Sequence, residues 1–251
     1  MRFAVAAILL VASPALAQDF EGWQPFVLST DAQTLKQGRV GAETGGGYDS
    51  TPNGLTPRPQ DAQVFDAWVG AGVGLWDAVE LDGLVSFGQT PGNQVGFGSG
   101  RAELRFRLLD APGNVPIWLT LAGGYQIDWQ LQQAAEAGLM ISGDLGPVRL
   151  TGNIRAAHYF HAGRDPVDLY LSAGALVRLA RWVQVGAEYL GEELEGVAGT
   201  DVDIGPGGRQ YVGPTIVFSA LGPCRLSVTS GPVFTGGTTG FLVRGSIGLV
   251  L

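Results

Sequence analysis

Several residue types are scarce in this chain, and each scarcity removes a class of protein. One cysteine, Cys224, excludes an intrachain disulfide and any zinc site of several thiolates. Two histidines, His158 and His161, leave little for a hydrolytic triad or an imidazole metal centre. Charged residues make up only 15% of the chain, against roughly 25% in a soluble globular domain. Basic residues are the scarcer sign, 15 against 23 acidic, so no basic face for nucleic acid is expected. After the first residues, no run of 18 apolar side chains offers a transmembrane helix. Yet 45% of the chain is hydrophobic, which excludes a disordered segment. Glycine is the residue in excess: 40 among 251, more than twice its usual share of roughly 7%, without a collagen-like period.

The amino terminus reads as an export signal. Arg2 supplies one positive charge, Phe3 to Ala12 an uncharged apolar run, and Ala15-Leu16-Ala17 a small-residue cleavage pattern before Gln18. The apolar run is about half of the roughly 20 residues that a spanning helix needs. Residues 1–17 are therefore expected to be removed. Residues 18–33, with Trp23, Pro25 and Phe26, form a periplasmic lead or a small plug tucked inward, and residues 34–251 form the folded domain.

Throughout that domain the hydrophobic period is two. Val167, Leu169, Leu171, Ala173, Ala175, Val177 and Leu179 alternate with Asp168, Tyr170, Ser172, Gly174, Leu176 and Arg178. A helix would scatter these sets around its circumference, whereas a strand sends them to opposite faces. The pattern predicts twelve strands near 35–47, 63–75, 79–88, 98–109, 115–128, 132–143, 147–160, 166–179, 182–193, 208–219, 224–235 and 240–251. Short turns, such as Trp76-Asp77-Ala78, alternate with mostly longer links rich in Gly, Pro and Asp, so the two ends of the fold differ.

Three features assign the apolar face to lipid rather than to a core. Many segments run ten to thirteen residues, enough for a tilted strand to cross a bilayer, where soluble strands average five to six. From the second strand onward the apolar face lacks Asp, Glu, Lys and Arg. Aromatic residues gather near strand ends, with Trp76, Phe87, Trp129, Phe160, Trp182 and Tyr189 placed as interfacial girdles. A sheet in hydrocarbon must close on itself, and the even strand number suits a single-chain barrel. The expected fold is all-β, a twelve-stranded antiparallel transmembrane β-barrel.

At this point the chain resembles a bacterial outer-membrane β-barrel over essentially its whole mature length. Gly74-Leu75-Trp76-Asp77-Ala78-Val79-Glu80-Leu81 resembles the strand–periplasmic turn–strand unit of small outer-membrane barrels, including the transporter family of the phenol-degradation meta-pathway. Ala180-Arg181-Trp182-Val183-Gln184-Val185 is similar. The resemblance implies an outer-membrane address, lipid and the outer-membrane assembly machinery as partners, and small solutes as cargo. It also implies a terminal aromatic residue, where this chain has Leu251, preceded by Leu249.

The inward face is then the functional one. Its lumen candidates are Glu80, Asp82, Arg101, Glu103, Arg105, Arg107, Arg149, Arg155, Arg178, Glu188 and Arg244. Counted over the whole inward face, with Glu43, Asp66, Asp128, Glu136, Asp168, Glu192, Arg39 and Arg225 added, ten acidic groups nearly balance nine basic ones, which argues against strong charge selection. The cluster Arg101, Glu103, Arg105 and Arg107 beside Glu80 and Asp82 is either an anion-contacting constriction or a salt-bridge network that stiffens the wall. Gly70, Gly72 and Gly74 leave room beside Trp68, a partial plug. No catalytic set, metal site or cofactor is expected; a calcium site in the acidic link 194–207 lacks the spacing of a known loop. Two functions remain open: a narrow channel or transporter for small solutes, and a non-conducting barrel with a structural, adhesive or envelope-integrity role.

Overall fold

The computed structural model describes residues 25–50, 65–89, 95–111, 115–128, 131–160, 167–192, 194, 208–221, 223–235 and 238–251. Twelve strands follow one another: β1 (Val40–Asp49), β2 (Phe65–Trp76), β3 (Val79–Gln89), β4 (Val95–Ala111), β5 (Ile117–Ile127), β6 (Gln133–Leu145), β7 (Val148–Tyr159), β8 (Asp168–Ala180), β9 (Val183–Glu192), β10 (Arg209–Leu221), β11 (Cys224–Thr235) and β12 (Thr238–Val250). Each pairs antiparallel with its sequence neighbours, and β1 also pairs with β12, so the sheet is a closed barrel. Closure leaves no open edge, which is what a sheet in hydrocarbon requires.

Burial is inverted relative to a soluble sheet. On β2, Asp66, Trp68, Gly70, Gly72 and Gly74 are buried while Phe65, Ala67, Val69 and Ala71 are exposed. On β7, Arg149, Thr151, Asn153 and Arg155 are buried, while Leu150 and Ile154 stand outward. The exposed apolar band continues through Leu81, Val85, Leu104, Leu121, Leu139, Ile141, Leu171, Ile216, Val228, Val243 and Ile247. An apolar surface of this extent encircling a closed barrel is stable against lipid tails and not against water. Two aromatic belts bound it. Trp76, Phe106, Trp182 and Phe218 lie at the short-turn end, and Tyr48, Phe65, Phe87, Phe160, Phe234 and Phe241 at the other. Trp129, expected in a belt, lies outside the described residues. No helix among the described residues is long and apolar enough to cross a membrane.

The described tight turns fall at 77–78, 146–147 and 181–182, all at one end. The 112–114 turn, most of the longer links and residue His161 lie outside the described residues, and so does the acidic link apart from Leu194. The largest correction concerns the first strand, which runs 40–49 instead of 35–47. Gly38 (φ +78°) turns the chain there, and its N–H donates to the Gly74 carbonyl at 2.8 Å. Gly45 to Gly47 do not end the strand. A Cβ at Gly45 would lie 2.2 Å from the Trp68 ring, so glycine makes the space that lets this indole lie inside the barrel.

Leu139, midway along β6 and facing lipid, gives a direct check. Leu139→Arg should lower stability in lipid vesicles by about 2–4 kcal/mol in a urea titration, whereas Trp182→Arg in the interfacial belt should cost about 1 kcal/mol or less.

Candidate functional site in the lumen

Residues 25–35 run inside the barrel, so at least the 25–33 part of the expected periplasmic lead is lumenal. The segment has no regular secondary structure, and its backbone groups must find partners on the inward face. Glu188 on β9 supplies three of them, accepting from the N–H groups of Val27 (3.1 Å), Leu28 (2.6 Å) and Ser29 (2.9 Å). The Thr215 hydroxyl donates to the same carboxylate at 2.9 Å. The Leu35 N–H donates to Glu80 at 2.7 Å and the Ala32 N–H to the Ser142 hydroxyl at 2.8 Å. Carbonyls are met in turn: Ser227 donates to Pro25 at 3.0 Å, Thr151 to Thr30 at 2.9 Å, Thr120 to Ala32 at 2.5 Å, and Arg105 to Asp31. The segment leaves the turn end beside Glu80, rises to Leu28 and descends again towards Ser227.

Apolar contacts fix it as well. Phe26 packs on Leu176 and Val217 and lies over Gly174, where a Cβ would come within 2.4 Å of its ring. Leu28 joins Leu190, Tyr211, Val233 and Leu242, and Ala32 joins Ala122, Met140 and Trp118. Burying Phe26 and Leu28 contributes roughly 1.5–3 kcal/mol each.

Around this segment the charged side chains form networks whose geometry follows from strand register. Glu80 and Arg105 are direct partners across β3 and β4, bonded at 3.0 Å. Asp82 faces Glu103 in the same ladder, an arrangement of like charges that is unfavourable alone. Arginines offset it: Arg155 reaches Glu103 at 2.7 Å and Glu136 at 2.5 Å, and Arg101 stands 4.0 Å from Asp82. Arg149 bridges Asp144 (2.8 Å) and Asp31 of the inserted segment (2.9 Å), with its guanidinium 5.2 Å from the Trp118 ring centre. Arg244 pairs with Asp66 at 3.1 Å and lies 5.9 Å from the Trp68 ring centre. Arg209 binds Glu192 at 2.5 Å and also Asp49. Arginine suits this setting because its planar fork satisfies two acceptors at once.

The structure brings Glu80, Asp82, Arg101, Glu103, Arg105, Arg149, Arg155, Glu188 and Arg244 to the lumen. Arg107 and Arg178 sit instead at the turn-end rim. Arg107 pairs with the half-exposed Asp110 at 3.4 Å, and the Arg178 N–H caps the Pro147 carbonyl at 2.8 Å. Four participants escaped expectation, the first of them Asp144, which falls in an expected turn but lies on β6 and meets Arg149. Asp31 lies in a segment without period. Asp49 falls beyond the expected end of the first strand. Arg209 shares its parity with Tyr211 and Thr215, a usable signal hidden because Val212, Ile216 and Val217 put apolar residues on both faces of β10. His158 points outward against Phe160. Among the described residues no group of three or more His, Cys, Asp or Glu is arranged to hold a metal ion.

Between the inserted segment and the β3–β4 wall lies a cavity of about 50 Å³, lined by residues 26–30, Glu43, Asp82, Leu84, Arg101 and Glu103. It has room for a few water molecules.

A closed antiparallel sheet with a lipid-facing exterior and a polar interior defines a transmembrane β-barrel of the bacterial outer-membrane type. Solved structures share the architecture. The outer membrane channel from Pseudomonas putida F1 superposes with a TM-score of 0.57 at 13% identity, covering 90% of this chain and 100% of that one. The NanC porin gives 0.55 at 7% identity, over 83% and 98% of the two chains. The KdgM porin in complex with disordered oligogalacturonate gives 0.52 at 9% identity, over 82% and 97%. At such identities the likeness is one of fold. No family model and no curated protein matches the chain, so the finer likeness to the meta-pathway family gains no support.

Arg155→Leu would leave Glu103 and Glu136 buried without their shared cation and should cost about 3–5 kcal/mol. Combining it with Glu103→Gln should recover part of that loss, giving a coupling of about 0.5–3 kcal/mol in a double-mutant cycle of denaturant unfolding.

Proposed function

We propose that the protein is an outer-membrane channel for small solutes whose lumen is held shut by its own residues 25–35. The observation that carries this reading is the Glu188 cradle. One carboxylate gathers three consecutive backbone N–H groups of an irregular segment that otherwise touches the wall through Glu80, side-chain hydroxyls, arginines and apolar contacts. Such an attachment can be released without breaking the sheet, because none of the twelve ladders includes the segment. Solved barrels of the same fold include porins and a channel, which supports the reading at the level of class. The mixed signs around the lumen favour weak selection between anions and cations.

A second reading rests on a different observation. The density of buried arginine–carboxylate pairs would equally suit a filled, stiff barrel with a structural, adhesive or envelope-integrity role.

Glu188→Gln separates the two. It keeps the shape but removes the charge from hydrogen bonds worth roughly 1.5–3 kcal/mol each when charge-assisted. In planar bilayers the wild type should be mostly closed with rare openings, and Glu188→Gln should raise the open fraction about five-fold or more, with small reversal potentials in a salt gradient. Liposome swelling should follow the same order. Absence of openings and swelling in both proteins would overturn the channel in favour of the filled barrel.

A further inference from the structure

The wall is not uniform. Along β10 and β11 the ladder pairs Tyr211 with Val233 and resumes at Thr215 with Thr229, in unchanged register, without the three pairs between. Irregularities in the other ladders are short bulges near strand ends. This gap lies well inside both strands.

Two prolines cause it. The Pro214 carbonyl accepts a hydrogen bond from the Thr229 hydroxyl at 3.1 Å, so the peptide edge of Pro214 faces β11. A strand residue turns its N and its carbonyl to the same neighbour, and residues two apart turn the same way. Pro214 therefore presents a missing donor to Ser230, which lies opposite it in the unshifted register. Pro232, two residues from Ser230, presents a second missing donor to Val212. On their outer sides both strands stay paired, Pro214 opposite Ala187 of β9 and Pro232 opposite Phe241 of β12. Proline is normally kept to edges and bulges because it cannot donate to a ladder. Here two of them face one seam of a barrel that has no edge.

Glycines let the strands touch without bonding. A Cβ on Gly213 would lie 2.2 Å from the Ser230 carbonyl oxygen, and one on Gly231 2.5 Å from that of Val212. What flanks the seam is equally unlike the rest of the wall. Inside, at the same depth, is the apolar cluster of Leu28, Leu190, Tyr211, Val233 and Leu242, where most of the lumen carries charge. Outside, Val212, Pro214 and Pro232 are exposed on the lipid face. Apolar surface thus stands on both sides of the one mid-strand stretch of wall, among the described residues, that lacks its ladder.

We propose that the β10–β11 seam is a lateral exit, through which a small apolar molecule that displaces Leu28 from its cluster passes sideways into the bilayer. The inserted segment forms the floor beneath that cluster, so this route does not require the lumen to open along its axis. It goes beyond the axial channel proposed above and uses a different opening. The carbonyls of Ser230 and Val212 face proline nitrogens that cannot donate to them, which sets a cost to holding the seam apart in hydrocarbon. The exit is therefore closed at rest and opens transiently.

Pro214→Val/Pro232→Val restores both donors and should seal it. The probe is N-phenyl-1-naphthylamine, which fluoresces in the bilayer, added to cells with an intact lipopolysaccharide leaflet. Cells carrying the wild type should take it up several-fold faster than cells without the protein. The double variant should fall to within about twofold of that background, and Pro214→Val alone should lie between. Heat-modifiable mobility on gels verifies that each variant is folded, and sugar-driven liposome swelling should be the same for wild type and double variant. Uptake at the wild-type rate in the folded double variant, or wild-type uptake no faster than background, would overturn the lateral exit. Loss of the axial channel reading would appear separately, as absence of swelling in both the wild type and Glu188→Gln.

Discussion

Hydrocarbon offers no partner to a peptide group, and the rest of this molecule follows from that constraint. Because every N–H and C=O of a spanning strand must be met by a neighbouring strand, the sheet closes, with β1 pairing to both β2 and β12. Because the exterior must match lipid, alternate residues are apolar, and everything polar turns inward. The requirement extends to the irregular chain inside, where carboxylates, hydroxyls and guanidinium groups take the place of a ladder for residues 25–35. It also gives the β10–β11 gap its meaning: a wall that forgoes its own bonds at mid-strand is costly, and Thr229 offsets only part of that cost.

The interior is a polar core, and its energetics differ from those of an oily one. Pairs such as Glu80–Arg105 and Glu103–Arg155 need not add stability compared with well-packed apolar residues of the same volume, since desolvation consumes much of their attraction. What they add is uniqueness. A carboxylate directly opposite another, as Asp82 is to Glu103, tolerates only arrangements that bring arginines between, and so pins both register and rotamers. Apolar contacts are used sparingly, at the points where Phe26, Leu28 and Ala32 touch the wall.

Legibility in the sequence tracked periodicity. Strands two to twelve were readable to within about three residues, because lipid on one side and lumen on the other impose a strict period of two. The inward parity of Glu80, Arg105, Arg155 and Glu188 came from the same rule. Where period fails, reading fails. Residues 25–35 are held largely through their backbones, which side-chain identity does not encode, so the alternatives of lead and plug stayed open. The run Gly45 to Gly47 blurred the end of β1, since glycine reports the bulk of Trp68 on a different strand rather than anything local. The seam was invisible for a related reason: Pro214 and Pro232 are 18 residues apart in sequence, and only the register puts their blind edges on one side.

The inserted segment also carries a consequence for the order of assembly. Leu28 and Glu188 are 160 positions apart, and Pro25 and Ser227 are 202 apart. The part of the fold made early in synthesis therefore waits for partners made late, on strands near the point where the sheet closes. Contacts at such separation come after the loops that join them have been closed. The segment can settle only in a cylinder that is already whole, which makes its docking a report on completed closure rather than a step towards it.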